Sequence, residues 1–303
     1  MFGDVTRVGA NFHAMEAWSN LKKVNGSIGQ IQSRLSSGKR INSAEDDTSG
    51  YALSKHLESR TRGLSQALDN VGTAKNVLNI AEGGFQSQMT ILQTVKEKLT
   101  QAADGSLSDA QRGAIGDQIN VLLTEFDDIN SDTKFNDNAL MGGGDGNSDA
   151  SIQFHVGEGN GDTLTVTFDN SYRRDVGESS TAVDLDDIVD GTGGTSNSAA
   201  LTTAWAALDQ TEATAGIAIA DSAIKALAKS IQNVGDYNAR FSSKEESLSL
   251  AVSNTEATRS RIEDADFAKE QMAMMKLQIL QQTSMSSFSQ ANSAPQMVLS
   301  LFR

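Results

Sequence analysis

Apolar residues recur at Val5, Val8, Phe12, Met15, Trp18, Leu21, Val24, Ile28, Ile31 and Leu35, every step three or four residues long. That spacing predicts one helix with a single apolar face. Ser36-Ser37-Gly38-Lys39 closes the segment, with Gly38 suited to the left-handed conformation that ends helices. Ser43 with Asp46 then reads as a cap opening a second helix. In that helix Leu53, Leu57, Arg60, Leu64, Ala67, Val71, Ala74, Leu78, Ala81, Phe85, Gln88, Leu92, Val95 and Leu99 alternate steps of four and three. A stripe this regular predicts a coiled-coil-like helix of roughly 70 Å.

Asp104-Gly105 interrupts the period, and Ser108 with Gln111 reads as a new cap. A shorter helix follows on Ile115, Ile119, Leu122, Phe126 and Ile129. From Leu140 the pattern changes. After the glycine-rich stretch 142–146, Ile152, Phe154 and Val156 alternate with polar residues, as do Leu164, Val166 and Phe168. With Gly157-Glu158-Gly159-Asn160-Gly161 between them, these runs predict a β-hairpin. Residues 175–200 are acidic and rich in Gly, Ser and Thr, and read as irregular. Helical period resumes before residue 217 on Ile224, Leu227, Ile231, Val234, Phe241, Leu248, Val252 and Ile262, and a last apolar stretch runs through Met272, Met275, Ile279 and Met285 to Val298, Leu299 and Leu301. The fold expected is mainly α: an elongated antiparallel helical bundle or coiled coil formed by the N- and C-terminal segments, carrying a small β-hairpin-containing insert. The divisions are 1–43, 44–140, 141–205, 206–262 and 263–303, the first and last being terminal helices and 141–205 the insert.

Composition agrees with long helices, since Pro occurs once in 303 residues. No Cys is present, which excludes disulfides and thiolate metal sites. The net charge of −14 sits in the middle: residues 101–200 carry 4 basic and 19 acidic side chains, against 12 and 9 in residues 1–100. An acidic middle between nearly neutral ends argues against a nucleic-acid partner, which needs a basic stripe. No run of apolar residues is long enough for membrane insertion. Met1-Phe2-Gly3-Asp4 lacks the basic flank and apolar run of a cleaved signal peptide.

Candidate chemistry is sparse. His13, His56 and His155 stand in unrelated contexts without a second ligand or base at useful spacing, and read as surface or packing residues. Asp145-x-Asn147-x-Asp149 starts like a calcium loop, but its sixth position is Ala150 instead of Gly and its twelfth is Val156 instead of Glu. Neither a catalytic set nor a cofactor loop is found, and no metal site is expected. Met272, Met274 and Met275 suit an adaptable helix interface better than a simple core.

Two stretches carry a family likeness. Arg34-Leu35-Ser36-Ser37-Gly38-Lys39-Arg40-Ile41-Asn42-Ser43-Ala44-Glu45-Asp46-Asp47 resembles the RLSSG-x-RINSA-x-DD signature of bacterial flagellins. Ser260-Arg261-Ile262-Glu263-Asp264-Ala265-Asp266-Phe267 is similar to that family's SRI-x-DAD[YF] segment. Gln278-Ile279-Leu280-Gln281-Gln282 and Ala291-Asn292-x-x-Pro295-Gln296-x-Val298-Leu299-Ser300-Leu301 follow at the family's spacing. The first residues depart from the family, with Val8-Gly9-Ala10-Asn11-Phe12-His13 where an I-N-T-N-like stretch is usual. Residues 92–101 and Gln118 also depart from the patch sensed by a vertebrate innate receptor, so weak activation is expected.

The resemblance implies a self-polymerising, non-enzymatic subunit of the flagellar filament, extracellular and exported without a cleaved signal. Its terminal helices would order on assembly through Phe12, Met15, Leu21, Ile28, Ile31, Leu35, Met272, Met275, Ile279, Val298, Leu299 and Leu301. The rod-like core would use Leu53, Leu57, Leu64, Val71, Leu78, Phe85, Leu92, Val95, Leu99, Ile224, Leu227, Ile231, Leu248 and Val252. Implied partners are further copies of the chain, a secretion chaperone on the C-terminal segment, the distal cap and the hook–filament junction proteins. A junction protein is the alternative reading, and the C-terminal N-x-x-P-Q-x-V-L-S-L run favours the filament subunit.

Overall fold

The structure is a computed structural model and describes residues 11–141, 150–169, 171, 208 and 210–300, with side chains as far as residue 293. Its helices are α1 (Phe12–Ser37), α2 (Thr48–Ala102), α3 (Asp109–Asp132), α4 (Gln210–Glu263) and α5 (Phe267–Ser300), and its strands are β1 (Lys134–Phe135), β2 (Asn138–Ala139), β3 (Ala150–His155) and β4 (Thr163–Phe168). The fold is mainly α, as expected. Two compact units divide the chain, one comprising residues 1–62 and 252–303, the other 63–251. The division falls inside α2 and α4.

In the unit of residues 63–251 the stripe of α2 is the core. Leu64, Ala67, Val71, Ala74, Leu78, Ala81, Phe85, Gln88, Leu92, Val95 and Leu99 are all buried. The stripe alternates bulky Leu64, Val71, Leu78, Phe85, Leu92 and Leu99 with mostly small residues at 67, 74 and 81, and alanines there let neighbouring helices approach closely. Facing it are Ile115, Ile119, Leu123 and Phe126 of α3 and Ala213, Ala220, Ala223, Leu227, Val234, Phe241 and Leu248 of α4. Lys75–Glu245 at 2.8 Å and Lys96–Asp221 at 2.5 Å flank the antiparallel α2–α4 seam.

The inner face of α4 is set slightly differently from the expected stripe. Ser230 is buried, while Ile224 and Ile231 are only half-buried flanking residues. On α3, Leu123 is buried and Leu122 half-buried, because steps of four from Ile115 and Ile119 reach residue 123.

The loops of this unit follow turn chemistry. Gln111 Oε1 accepts from the Ser108 N–H at 2.9 Å and opens α3, as the sequence predicts. A small hairpin not foreseen from the sequence pairs β1 with β2 across Asn136 and Asp137, whose φ angles are 50° and 65°. Two positive φ values in a two-residue turn match the twist of a tight hairpin, and Asn and Asp tolerate them better than other side-chain-bearing residues. β3 and β4 pair antiparallel, with Ile152 opposite Val166 and Phe154 opposite Leu164. Phe154 meets Phe241 of α4 edge-on, with centroids 5.7 Å apart. The would-be calcium loop begins outside the described residues.

Beyond β4 the chain is pinned to three helices within three residues. Asp169 accepts hydrogen bonds from Ser230 (2.8 Å) and Asn233 (3.0 Å) of α4. Ser171 O accepts from Gln88 of α2 at 3.3 Å, and Ser171 Oγ accepts from Asn130 of α3 at 2.7 Å. The Ser171 N–H donates to Met141 O at 3.1 Å. Gln88, Asn130 and Ser171 are nearly sealed from solvent, so these bonds form in a dry site where they are electrostatically stronger.

In the unit of residues 1–62 and 252–303, Gly38 ends α1 at φ 72°, and its N–H donates to Arg34 O. The start of α2 corrects the sequence reading. Asp47, not Ser43, is the cap: its Oδ1 accepts from the N–H groups of Ser49 (3.1 Å) and Gly50 (3.0 Å). Asp46 instead closes the preceding loop, accepting from the Asn42 and Ser43 N–H groups at 3.0 and 3.1 Å. Those two bonds, with help from the Ser43 hydroxyl and Arg34, hold its carboxyl below the usual aspartate range. Leu53, expected in the core, is 49% exposed, and Ser54 takes the inward position one residue later. Leu57 and Val252 are half-buried, and Arg60 is exposed.

Candidate functional site

α1 and α5 lie antiparallel against each other. Asn11 uses both ends of its amide here: Oδ1 caps α1 by accepting from the Ala14 N–H at 3.1 Å, and Nδ2 donates to Ala291 O at 2.8 Å. Further along, Trp18 tilts against Phe288 at 5.9 Å, Gln281 donates to Asn25 at 2.7 Å, and Arg34 stands 3.8 Å from Glu270. The inner seam of α1 is Ala14, Leu21 and Ile31, all buried, with Ala17, Val24, Ile28 and Leu35 half-buried. On α5 the half-buried seam residues include Ala273, Met274, Leu277 and Phe288.

The single apolar stripe expected for α1 therefore divides. Phe12, Met15 and Trp18 are 51%, 67% and 56% exposed. Consecutive steps of three fall short of the 3.6-residue turn, so the line drifts around the helix, and Phe12 ends about two and a half turns from Leu21, on the opposite side. Leu21 and Ile31, predicted as surfaces for other copies, are instead covered by α5, with Ile28 and Leu35 beside them.

The outer face of α5 is equally apolar. Met272, Met275, Ile279 and Met285 are 61%, 57%, 65% and 57% exposed, and Phe267 and Leu280 are exposed too. Val298 and Leu299 lie in the last turns of α5 with their side chains outside the described set, and Leu301 lies beyond the described residues. Among the described residues, ten of the thirteen exposed large apolar side chains belong to this unit. A helix with apolar residues on two faces carries more apolar surface than packing on one neighbour covers.

The turns joining these helices to their neighbours are locked by one carboxylate. The Arg40 N–H donates to Glu263 O at 2.6 Å, the Ala265 N–H to Gly38 O at 2.9 Å, and Lys39 bridges to Asp264 as in an antiparallel sheet. The Glu263 side chain turns inward, 4% exposed, where it accepts from Ser54 Oγ at 2.6 Å, pairs with Lys39 Nζ and meets Arg259 at 3.2 Å. Burial pushes its carboxyl up, but the hydrogen bonds from Lys39 and Ser54 and the charges of Lys39 and Arg259 outweigh that and hold it below the ordinary glutamate range. Sequence reasoning placed Glu263 in a motif without a role. It is the residue on which the turns meet.

His13 and Glu16 line an open cleft of about 280 Å³ with Asn20, Ser284 and Ser287. Among the described residues no group of three His, Asp or Glu side chains could hold a metal ion, and no helix is long and apolar enough to cross a membrane.

Residues 8–145 match the model of the bacterial flagellin N-terminal helical region, and residues 217–302 match that of the C-terminal helical region. The flagellar filament 33 kDa core protein of Treponema phagedenis is 32% identical over 305 residues, covering 97% of this chain and 98% of that protein. A flagellin of Halalkalibacterium halodurans is 31% identical over 294 residues, with the same coverage. A solved structure from Vibrio parahaemolyticus, described as flagellar hook-associated, superposes with a TM-score of 0.58 at 13% identity, covering 72% of this chain and all of that one. That last likeness concerns the fold alone. With both terminal regions matched and relatives aligned along nearly its whole length, the chain belongs to the bacterial flagellin family.

Proposed function

We propose that this flagellin is a self-polymerising structural subunit of the extracellular flagellar filament, serving motility, and that neighbouring copies cover the outer faces of α1 and α5. The observation that carries the surface is the pair of apolar helix faces left bare once α1 and α5 have packed on each other. Fully burying such a side chain contributes roughly 1.5–3 kcal/mol, and Phe12, Met15, Met272, Met275 and Ile279, still 51–67% exposed, each have roughly half of that left to gain in a contact. The relatives named for the filament align over nearly the full chain, which favours the filament subunit over a hook–filament junction protein.

Around this reading stand the finer assignments. The chaperone engages the C-terminal segment, the cap and junction proteins meet the ends of the polymer, and export proceeds without a cleaved signal. Residues 1–43 and 263–303 form the inner layer, 44–140 and 206–262 the layer around it, and 141–205 the outward face. The departures at Thr94 and Gln118 point to weak activation of the vertebrate innate receptor. A reporter-cell response equal to that of an enteric flagellin counts against it.

Seeded polymerisation tests the main proposal. Purified full-length chain elongates filament seeds, whereas chains lacking 1–40 or 265–303 do not. Ile279→Asp is the sharper probe. Its site is already exposed, so stability changes by about 0.5 kcal/mol or less, yet elongation is lost because a charge must be buried in the contact. Elongation by either truncation, or unimpaired elongation by Ile279→Asp, overturns the assignment of this surface.

A further inference from the structure

Four of the exposed apolar side chains on this helix pair are thioethers: Met15 on α1, and Met272, Met275 and Met285 on α5, each more than half exposed. By contrast, Met141 is fully buried in the other unit. Met275 and Ile279 stand roughly opposite Leu277 on the helix, away from the α1 seam. A thioether so placed is open to solvent in the free chain and closed to it once another surface covers the helix. Methionine oxidises readily, and its sulfoxide is polar and chiral where the parent side chain was apolar and adaptable.

From this we infer that Met15, Met272, Met275 and Met285 form a peroxide-sensitive modification site that controls whether a free subunit can assemble. The inference rests on the proposed role of the α1–α5 surface. In each event a new S–O bond forms as the O–O bond of the peroxide breaks. The sulfur is oxidised by two electrons, the peroxide is reduced, and the departing oxygen takes up a proton to leave as water. Each sulfoxide then has to be desolvated when a neighbouring copy covers the face, a cost that the apolar thioether does not carry. Subunits oxidised before assembly are excluded from growth, whereas subunits already in the polymer are shielded by their neighbours.

The experiment uses the full-length chain, hydrogen peroxide and seeded elongation. Peptide mass spectrometry of treated free protein is expected to find sulfoxide at the four positions and none at Met141. The concentration needed for elongation rises by about tenfold or more, and methionine sulfoxide reductases restore it. Treatment of finished filaments modifies the same positions about tenfold more slowly. A variant with Met15→Leu, Met272→Leu, Met275→Leu and Met285→Leu, whose untreated elongation sets its own reference, keeps that same elongation after peroxide. Normal elongation of fully oxidised wild-type protein, or failure of the reductases to restore it, overturns the modification site while leaving the assembly surface standing. Loss of elongation by the peroxide-treated leucine variant places the sensitivity elsewhere and also overturns it. If untreated wild-type protein does not elongate seeds, the proposed function falls first, which separates the two failures.

Discussion

Ser54 donates a 2.6 Å hydrogen bond to Glu263 across a separation of 209 residues, tying the first turns of α2 to the last residue of α4. The same carboxylate pairs with Lys39, two residues beyond the end of α1, so one buried charge ties down three chain segments.

Acid should therefore loosen this junction. The Glu263 carboxyl is held below its ordinary pKa, so its stabilisation is fully present above the ordinary glutamate value of about 4.3 and is lost as pH falls through the lower folded value. Glu263→Gln is expected to cost about 2 kcal/mol at neutral pH, because Arg259 loses its buried partner while Lys39, 41% exposed, regains water. Urea denaturation of both proteins between pH 3 and 7, in steps of about one unit, should show the difference shrinking toward acid. A difference that does not depend on pH would refute the role given to this carboxylate.

The capping assignment separates two adjacent aspartates. Asp47→Ala removes the acceptor for the Ser49 and Gly50 N–H groups and should lower stability by about 1 kcal/mol, whereas Asp47→Asn should largely keep it. Equal losses from the two substitutions would show that Asp47 acts through charge rather than as a cap.

Along α2 the effect of a charge should depend on phase rather than position. Leu78→Asp or Phe85→Asp buries an uncompensated carboxylate at a site with no exposure and should cost several kcal/mol, on the order of 4. Leu53→Asp, on the same four-and-three line but half exposed, should change stability by about 0.5 kcal/mol or less. Circular dichroism melts of the three variants give the comparison, and a large loss from Leu53→Asp would contradict the packing described for that turn.

Periodicity made the α2 core legible because a coiled-coil-like face repeats the same geometric condition turn after turn, from Leu64 to Leu99. The same reasoning failed on α1, where successive steps of three between Phe12 and Val24 satisfy a spacing rule while precessing around the helix. Repetition alone does not distinguish a straight line from a drifting one. The Glu263 junction was invisible for a different reason: its partners are scattered along the chain, and no local pattern signals that Ser54 and Lys39 converge on it. The β1–β2 hairpin carried only the Asn136-Asp137 pair as a signal, since two-residue strands are too short to show alternation.

The hydrogen bonds at Asp169 and Ser171 have a consequence for how such a protein diversifies. They fix the chain on α2, α3 and α4 just before residue 172, and Leu208, 1% exposed, marks a second fixed point before α4 begins. For a chain tied down at two such points, doubling the length between them costs only about 0.6 kcal/mol in closure entropy. Length can therefore vary between these anchors while the packing of α2, α3 and α4 is kept.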